Sequence, residues 1–134
     1  MSPGRKFAGF GVAVAILTFV YMAVSSLQPE ILVDETVTVD GMDCRLYALE
    51  IKGDRRVSVR FRVAEGGEVA FLICEEAEFD LWRNGSDVSL CVYQHETTGT
   101  TVHWVCSADG VYDFVFDNRN SSAAKTVEVT ITLR

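Results

Sequence analysis

Two hydrophobic patterns divide this chain. From Phe7 to Val24 it reads FAGFGVAVAILTFVYMAV, eighteen residues without a charge, whereas further along the apolar positions fall on every second residue. As a helix rising about 1.5 Å per residue the first stretch would span about 27 Å, enough to cross the hydrocarbon core of a bilayer. The second pattern is that of strands with one buried and one wet face. RVSVRFRV sets Val57, Val59, Phe61 and Val63 against Ser58, Arg60 and Arg62; KTVEVTITLR sets Val127, Val129, Ile131 and Leu133 against Glu128, Thr130 and Thr132. Further strands are predicted in ILVDETVTVD, CRLYALEIK, EVAFLICE, EFDLWR, DVSLCVYQ, TVHWVCS and VYDFVFD. Between them stand Gly53-Asp54, Gly66-Gly67, Asn84-Gly85, Thr98-Gly99 and Asp109-Gly110, dipeptides that accept positive φ. About nine short strands predict an all-β fold, an antiparallel β-sandwich or jelly roll, because one sheet so wide would leave an apolar face in water.

The flanks of the apolar stretch orient it. Arg5 and Lys6 precede it and Glu30, Asp34 and Glu35 follow, so the positive-inside rule predicts a single-pass transmembrane signal anchor. Residues 1–6 are then cytoplasmic, 7–24 the membrane helix, 25–30 a polar linker and 31–134 an extracytoplasmic β-sandwich in the cell membrane. A cleaved leader is the rival, with Ala23 and Ser25 as small residues before a cut, but its apolar region is typically about 7 to 15 residues. Gly9 with Ala13 and Gly11 with Ala15 have a spacing that permits close helix approach and would allow a homo-oligomer.

A chain of 134 residues with 49% hydrophobic content suits one compact domain plus this appendage. All nineteen acidic residues lie beyond position 29 and the formal net charge is −7, a surface that repels phosphate backbones. Nucleic acid is therefore not an expected partner.

Four cysteines in an exported domain predict disulfides. If Thr98-Gly99 closes a two-residue hairpin, Cys91 stands opposite Cys106, and Tyr93 opposite Trp104 on the same face. Such a bridge, closing a loop of about fifteen residues, contributes about 3 kcal/mol in the chain-entropy account. Elimination pairs Cys44 with Cys74. Tight hairpins at Gly53-Asp54 and Gly66-Gly67 would set these two cysteines two strands apart and out of step, beyond the Cα reach of about 7 Å. Either the strands belong to different sheets or the second bridge is absent. Cys91, His95, His103 and Cys106 supply the residue types of a zinc site, but on such a ribbon His103 points to the other face and no CxxC pair occurs; no metal or cofactor is expected.

Catalytic signals are absent: no GxSxG, no HExxH, and no serine or cysteine partner evident for either histidine. A binding protein is expected rather than an enzyme. Glu75, Glu76, Glu78 and Asp80 supply oxygen ligands of the kind that hold Ca²⁺, without the spaced loop and turn glycine that normally go with them, and read as a charged strand edge. Asp117, Asn118 and Asn120 read as a side-chain-supported turn. Trp82, Tyr93 and Trp104 fill a core or line a sugar-binding or protein-binding surface. Asn84-Gly85-Ser86 and Asn120-Ser121-Ser122 are candidate glycosylation sites at predicted turns on the exported side.

The stretch GVYDFVFDNRNSSAAKTVEVTITLR resembles the closing strands of the GOLD domain, the β-sandwich of the p24 (emp24/gp25L) cargo-receptor family. Gly110, Tyr112, Phe114, Phe116, Asn118, Ser122, Lys125 and Val127 follow its pattern, while the family's cysteine falls at Val115, so its bridge is not carried over. The family's coiled coil, C-terminal membrane helix and sorting tail have no counterpart in these residues. The resemblance implies a GOLD-like sandwich with a protein-interaction role, either a module with an unidentified protein partner or an accessory subunit of a membrane complex. Two alternatives stand beside it: a pilin-like filament subunit with a hydrophobic helix before its β-sandwich head, and a glycan- or Ca²⁺-binding surface domain.

Overall fold

The structure, a computed structural model, describes residues 29–134; the membrane anchor and most of the linker expected from the sequence lie outside the described residues. Among the described residues no helix is long and apolar enough to cross a membrane. Eight strands form: β1 (Glu30–Val39), β2 (Cys44–Ile51), β3 (Arg56–Glu65), β4 (Val69–Glu75), β5 (Val92–Thr97), β6 (Gly99–Val105), β7 (Gly110–Asp117) and β8 (Lys125–Leu133). They pair antiparallel into a first sheet, β1-β8-β3-β6, and a second sheet, β2-β7-β4-β5. This double-sheet order is a jelly roll, in agreement with the β-sandwich expected from the alternation.

The alternating strands behave as their pattern predicts. Val57, Val59, Phe61 and Val63 of β3 and Val127, Val129, Ile131 and Leu133 of β8 are buried on the inner face of the first sheet. They meet Tyr47, Phe71, Ile73, Tyr112, Phe114 and Phe116 of the second sheet in one core. Phe61, Phe71 and Phe116 stack there with ring centroids 5.1 to 5.6 Å apart, the tilted and edge-on geometry that aromatic quadrupoles favour.

β4 departs from alternation: every residue from Val69 to Cys74 is buried. Leu72 and Cys74 turn outward with Val115 of β7, and a short helix, α1 (Phe79–Arg83), packs Phe79 and Trp82 over them. EFDLWR is therefore a helical cover rather than a strand. Preceded by a 3-10 turn (Glu76–Glu78), it turns its rings down and leaves Glu76 and Asp80 exposed. DVSLCVYQ becomes a strand only from Val92, and so the described residues form eight strands instead of nine.

The connection at Thr98-Gly99 corrects a second expectation. β5 belongs to the second sheet and β6 to the first, so Thr98-Gly99 is a crossing between layers and not a hairpin. Only β4 and β5 are consecutive in the same sheet. At Gly66, φ is +106° and an added Cβ would stand 2.5 Å from the Ala124 carbonyl oxygen, so the β3–β4 crossing requires glycine there.

Two polar knots hold the corners. Tyr112 donates to the Ala108 carbonyl at 2.6 Å, a tyrosine corner of the kind found in Greek-key sandwiches. Asn118, buried, donates through Nδ2 to the carbonyls of Val39, Asp40 and Ala123 at 2.8 to 3.3 Å, and accepts from Lys125 Nζ at 2.7 Å. Lys125 also donates to the Glu68 carbonyl. The GOLD-like pattern residues thus resolve into core side chains (the rings of Tyr112, Phe114 and Phe116, with Val127), a strand start (Gly110), an exposed turn residue (Ser122) and this buried Asn118–Lys125 knot. Their common role is architectural.

Candidate interaction face

The wet face of the first sheet has nothing over it among the described residues. β3 presents Arg56, Ser58, Arg60 and Arg62 to it, because the alternating residues Val57, Val59 and Phe61 are drawn into the core. Register fixes their neighbours. Arg60 lies between Thr101 of β6 and Thr130 of β8, and Ser58 between His103 and Thr132. Arg56 pairs by backbone with Arg134 in both directions, at 2.8 and 3.1 Å, which brings two guanidinium-bearing residues side by side. Arg56, Ser58, His103, Thr132 and Arg134 line a shallow groove of about 430 Å³ at this end.

The electrostatics of this face are unusual for a chain of net charge −7. Arg62 is neutralised by Glu128 through two contacts of 3.0 and 3.2 Å. Ser58 Oγ and His103 Nδ1 stand 2.9 Å apart, and Thr130 donates to Asp34 at 3.4 Å. Arg56, Arg60 and Arg134 have no side-chain hydrogen bond or ion pair among the described residues. Elsewhere cations are committed: Lys52 to Asp109, Arg83 to Asp43, Arg119 to Asp117 and over the Trp82 ring at 4.1 Å, Lys125 to Asn118, and Arg45 and Arg55 to carbonyls. The three described cations whose side chains make neither a hydrogen bond nor an ion pair thus share one threonine-rich sheet face.

The second sheet's outer face carries the opposite sign. Glu76, Glu78 and Asp80 ride on the covering segment without ion pairs among the described residues, and beneath them Asp113 of β7 is only 3% exposed with Oδ1 unbonded among those residues. Burial, with Glu76 and Asp80 adding repulsion, raises the Asp113 carboxyl to about 6.

The cysteines do not form the pairs expected from a hairpin; all four are free thiols. Cys91 lies just before β5, its N–H donating to the Ile73 carbonyl at 2.9 Å, while Cys106 is buried after β6 with Sγ 3.0 Å from the Ala108 carbonyl oxygen. The layer crossing between β5 and β6 removes the cross-strand register that was to bring them together. Cys44 and Cys74 lie in one sheet on either side of β7, opposite Asp117 and Asp113, hence four residues out of step. With strands about 4.8 Å apart and about 3.3 Å per residue, the separation is roughly 16 Å, too far for a bridge. Burial first, with Asp117 next, lifts Cys44 to about 11; burial and then Asp113 lift Cys74 to about 12; burial and Glu75 raise Cys91. None of these three is a ready thiolate nucleophile.

The remaining sequence candidates disperse. His95 sits on β5 in edge contact with Tyr93, His103 on β6 in the other sheet, and no group of three or more His, Cys, Asp or Glu side chains among the described residues is arranged to hold a metal ion. Trp104 packs on Tyr112 at 4.9 Å. Asn84 and Asn120 are exposed in turns. The sequence reading overlooked the arginine face as a site, although its signal was visible as arginines at alternate positions on the wet side of a strand in an acidic chain.

What fold and face define is a jelly-roll domain with one open, basic sheet surface. No family model matches the sequence, and comparison with curated proteins finds no match. Among solved structures it is similar to Aeromonas hydrophila PliG, a periplasmic lysozyme inhibitor of g-type lysozyme, at 13% identity and TM-score 0.58, covering 81% of this chain and 90% of that one. The pre-peptidase C-terminal domain of collagenase from Bacillus anthracis is similar at 11% identity and TM-score 0.52, over 74% and 89%. A structure of Bacillus endospore appendages, described as disulfide-linked pili, aligns at 19% identity and TM-score 0.42, over 79% and 88%. The first two likenesses are of fold.

Proposed function

We propose that this chain is a membrane-anchored protein-interaction module, without enzymatic activity, that presents the outer face of its first sheet to an acidic protein surface outside the cytoplasm. The observation that carries this reading is the concentration of Arg56, Arg60 and Arg134, all unpartnered among the described residues, on an uncovered face of an acidic chain. Guanidinium groups on a flat sheet match carboxylates in fork geometry and steer encounter through the surrounding field. The raised thiols support binding over catalysis; His103 does find a serine partner, Ser58, which the sequence had not suggested, but no carboxylate hydrogen-bonds to that histidine among the described residues. A similar fold in a periplasmic lysozyme inhibitor supports recognition outside the cytoplasm without naming a target. Glycosylation at Asn84 and Asn120 is compatible with this face, since both sit in connections away from it.

The test is a photo-reactive side chain at Thr101, beside Arg60 on the edge strand β6, carried by the full chain in its own membranes. A protein adduct that vanishes when Arg56→Glu and Arg60→Glu are added supports the reading. No adduct, or one indifferent to the arginines, overturns it.

A further inference from the structure

We propose that the acidic surface docking on the arginine face belongs to a second copy of this chain, whose Glu76–Asp80 ridge meets Arg56, Arg60 and Arg134, so that copies associate head to tail through unlike faces. This rests on the assignment of the arginine face as a docking surface, and it adds the partner.

Both halves of the contact are present in a single copy. One outer face carries three arginines without a counter-charge; the other carries Glu76, Glu78 and Asp80, likewise without ion pairs among the described residues. The cations nearest that ridge cannot serve it, because Arg83 is held by Asp43 and Arg119 by Asp117. Beneath it lies Asp113, nearly fully buried, with an oxygen that no donor reaches. A cluster of like charges over an unsatisfied carboxylate is costly alone and is relieved by guanidinium groups arriving from outside.

Symmetry selects the mode. A two-fold dimer through the first sheet would oppose arginine to arginine, and one through the second would oppose carboxylate to carboxylate. Only a heterologous contact pairs opposite signs, and because the two faces lie on opposite sides of the sandwich it does not close after two copies. Size sets the strength. Four strands of roughly eight residues give a face of roughly 500 Å² at normal strand spacings, below the roughly 800 Å² per partner of a stable interface. The association is therefore reversible and sensitive to salt.

Sedimentation velocity of the full chain in detergent, across a concentration series at low and high salt, reads the effect. The wild type should associate at low salt and dissociate at about 0.5 M salt, where screening acts within a few ångströms. Arg56→Glu with Arg60→Glu should weaken association by about tenfold or more, as should Glu76→Arg with Glu78→Arg in a separate protein, since each now opposes like charges. The decisive sample is an equimolar mixture of the two. The first variant retains a normal acidic ridge and the second a normal arginine face, and the two reversed faces are also of opposite sign, so the mixture should regain the association that each variant alone has lost. A mixture that stays monomeric, or single variants that associate like the wild type, overturns the proposal. Near-UV circular dichroism confirms folding, and Arg56→Gln with Arg60→Gln replaces the reversal if that variant unfolds. The Thr101 adduct separates the two readings: a mass that is a multiple of this chain supports self-association, whereas a different protein keeps the docking face and removes the second copy.

Discussion

The two outer faces of this sandwich were built from the same kind of strand and ended differently. On the first sheet, β3 and β8 alternate strictly, so arginines and threonines point outward and the sheet can stand in water. On the second, β4 is apolar on both sides, and Leu72, Cys74 and Val115 would lie bare without Phe79 and Trp82 over them. One face is finished by its own side chains and stays open; the other needs a lid and becomes part of the interior. The uncovered face with surplus charge is therefore the one proposed to dock a partner, and the covered one is where a mutation is felt as stability.

That contrast can be broken in graded steps. The largest effect belongs to the knot shared by both layers: Asn118→Ala removes the two N–H donors that three carbonyls share and strips the buried Lys125 ammonium of its side-chain acceptor. A loss of about 3 to 5 kcal/mol is expected from urea denaturation of the full chain, and less than about 1 kcal/mol would mean that the core alone sets the corner.

Next comes Asp113. Because its carboxyl is raised to about 6 in the fold, the native state holds the proton more tightly than the unfolded chain does. The contribution is full below about pH 4 and is lost as pH climbs through 6, a swing of roughly 3 kcal/mol. Asp113→Asn should therefore stabilise the protein at pH 8, leave it unchanged near pH 3, and flatten the pH profile of the melting temperature between them. An unchanged profile would show that the carboxylate has found a partner.

Trp82→Ala lifts the lid of the second sheet. Half-buried and packed on Phe79 and beneath Arg119, the ring should cost about 2 kcal/mol on removal, less than a fully buried one. Dye binding to the exposed Leu72 and Val115 surface should rise with it. The smallest stability effect is expected from Arg60→Ala on the open face, within about 0.5 kcal/mol, while the arginine-dependent Thr101 adduct weakens. Should that substitution destabilise the fold as Trp82→Ala does, the two faces would not differ in kind.

Much of the fold was legible before any coordinates. Period-2 alternation in RVSVRFRV and KTVEVTITLR gave β3 and β8 and their buried sides correctly, and the Gly66-Gly67 and Gly53-Asp54 signals fell at real turns, with Asp54 at φ +69°. Less legible was EFDLWR, whose helical cover owes its conformation to the apolar back of β4, a feature many residues away in the sheet. The Thr98-Gly99 signal marked a turn faithfully and its partner strands wrongly, since turn chemistry reports local φ and not which layer the chain enters next. The disulfide reasoning inherited that error.

The sequence by itself determined that the chain holds a charge-free stretch long enough to span a bilayer and an acidic, two-layered β domain, because charge, length and alternation are properties of neighbouring residues. The tertiary structure alone decided that Arg134 joins Arg56 and Arg60 on one face, that Cys44 and Cys74 stand apart across β7, and that Asp113 is sealed beneath Glu76 and Asp80. Those relations depend on which strands lie side by side, and strand order is fixed by burying both sheets against each other, a requirement of the whole chain that no short window of residues carries.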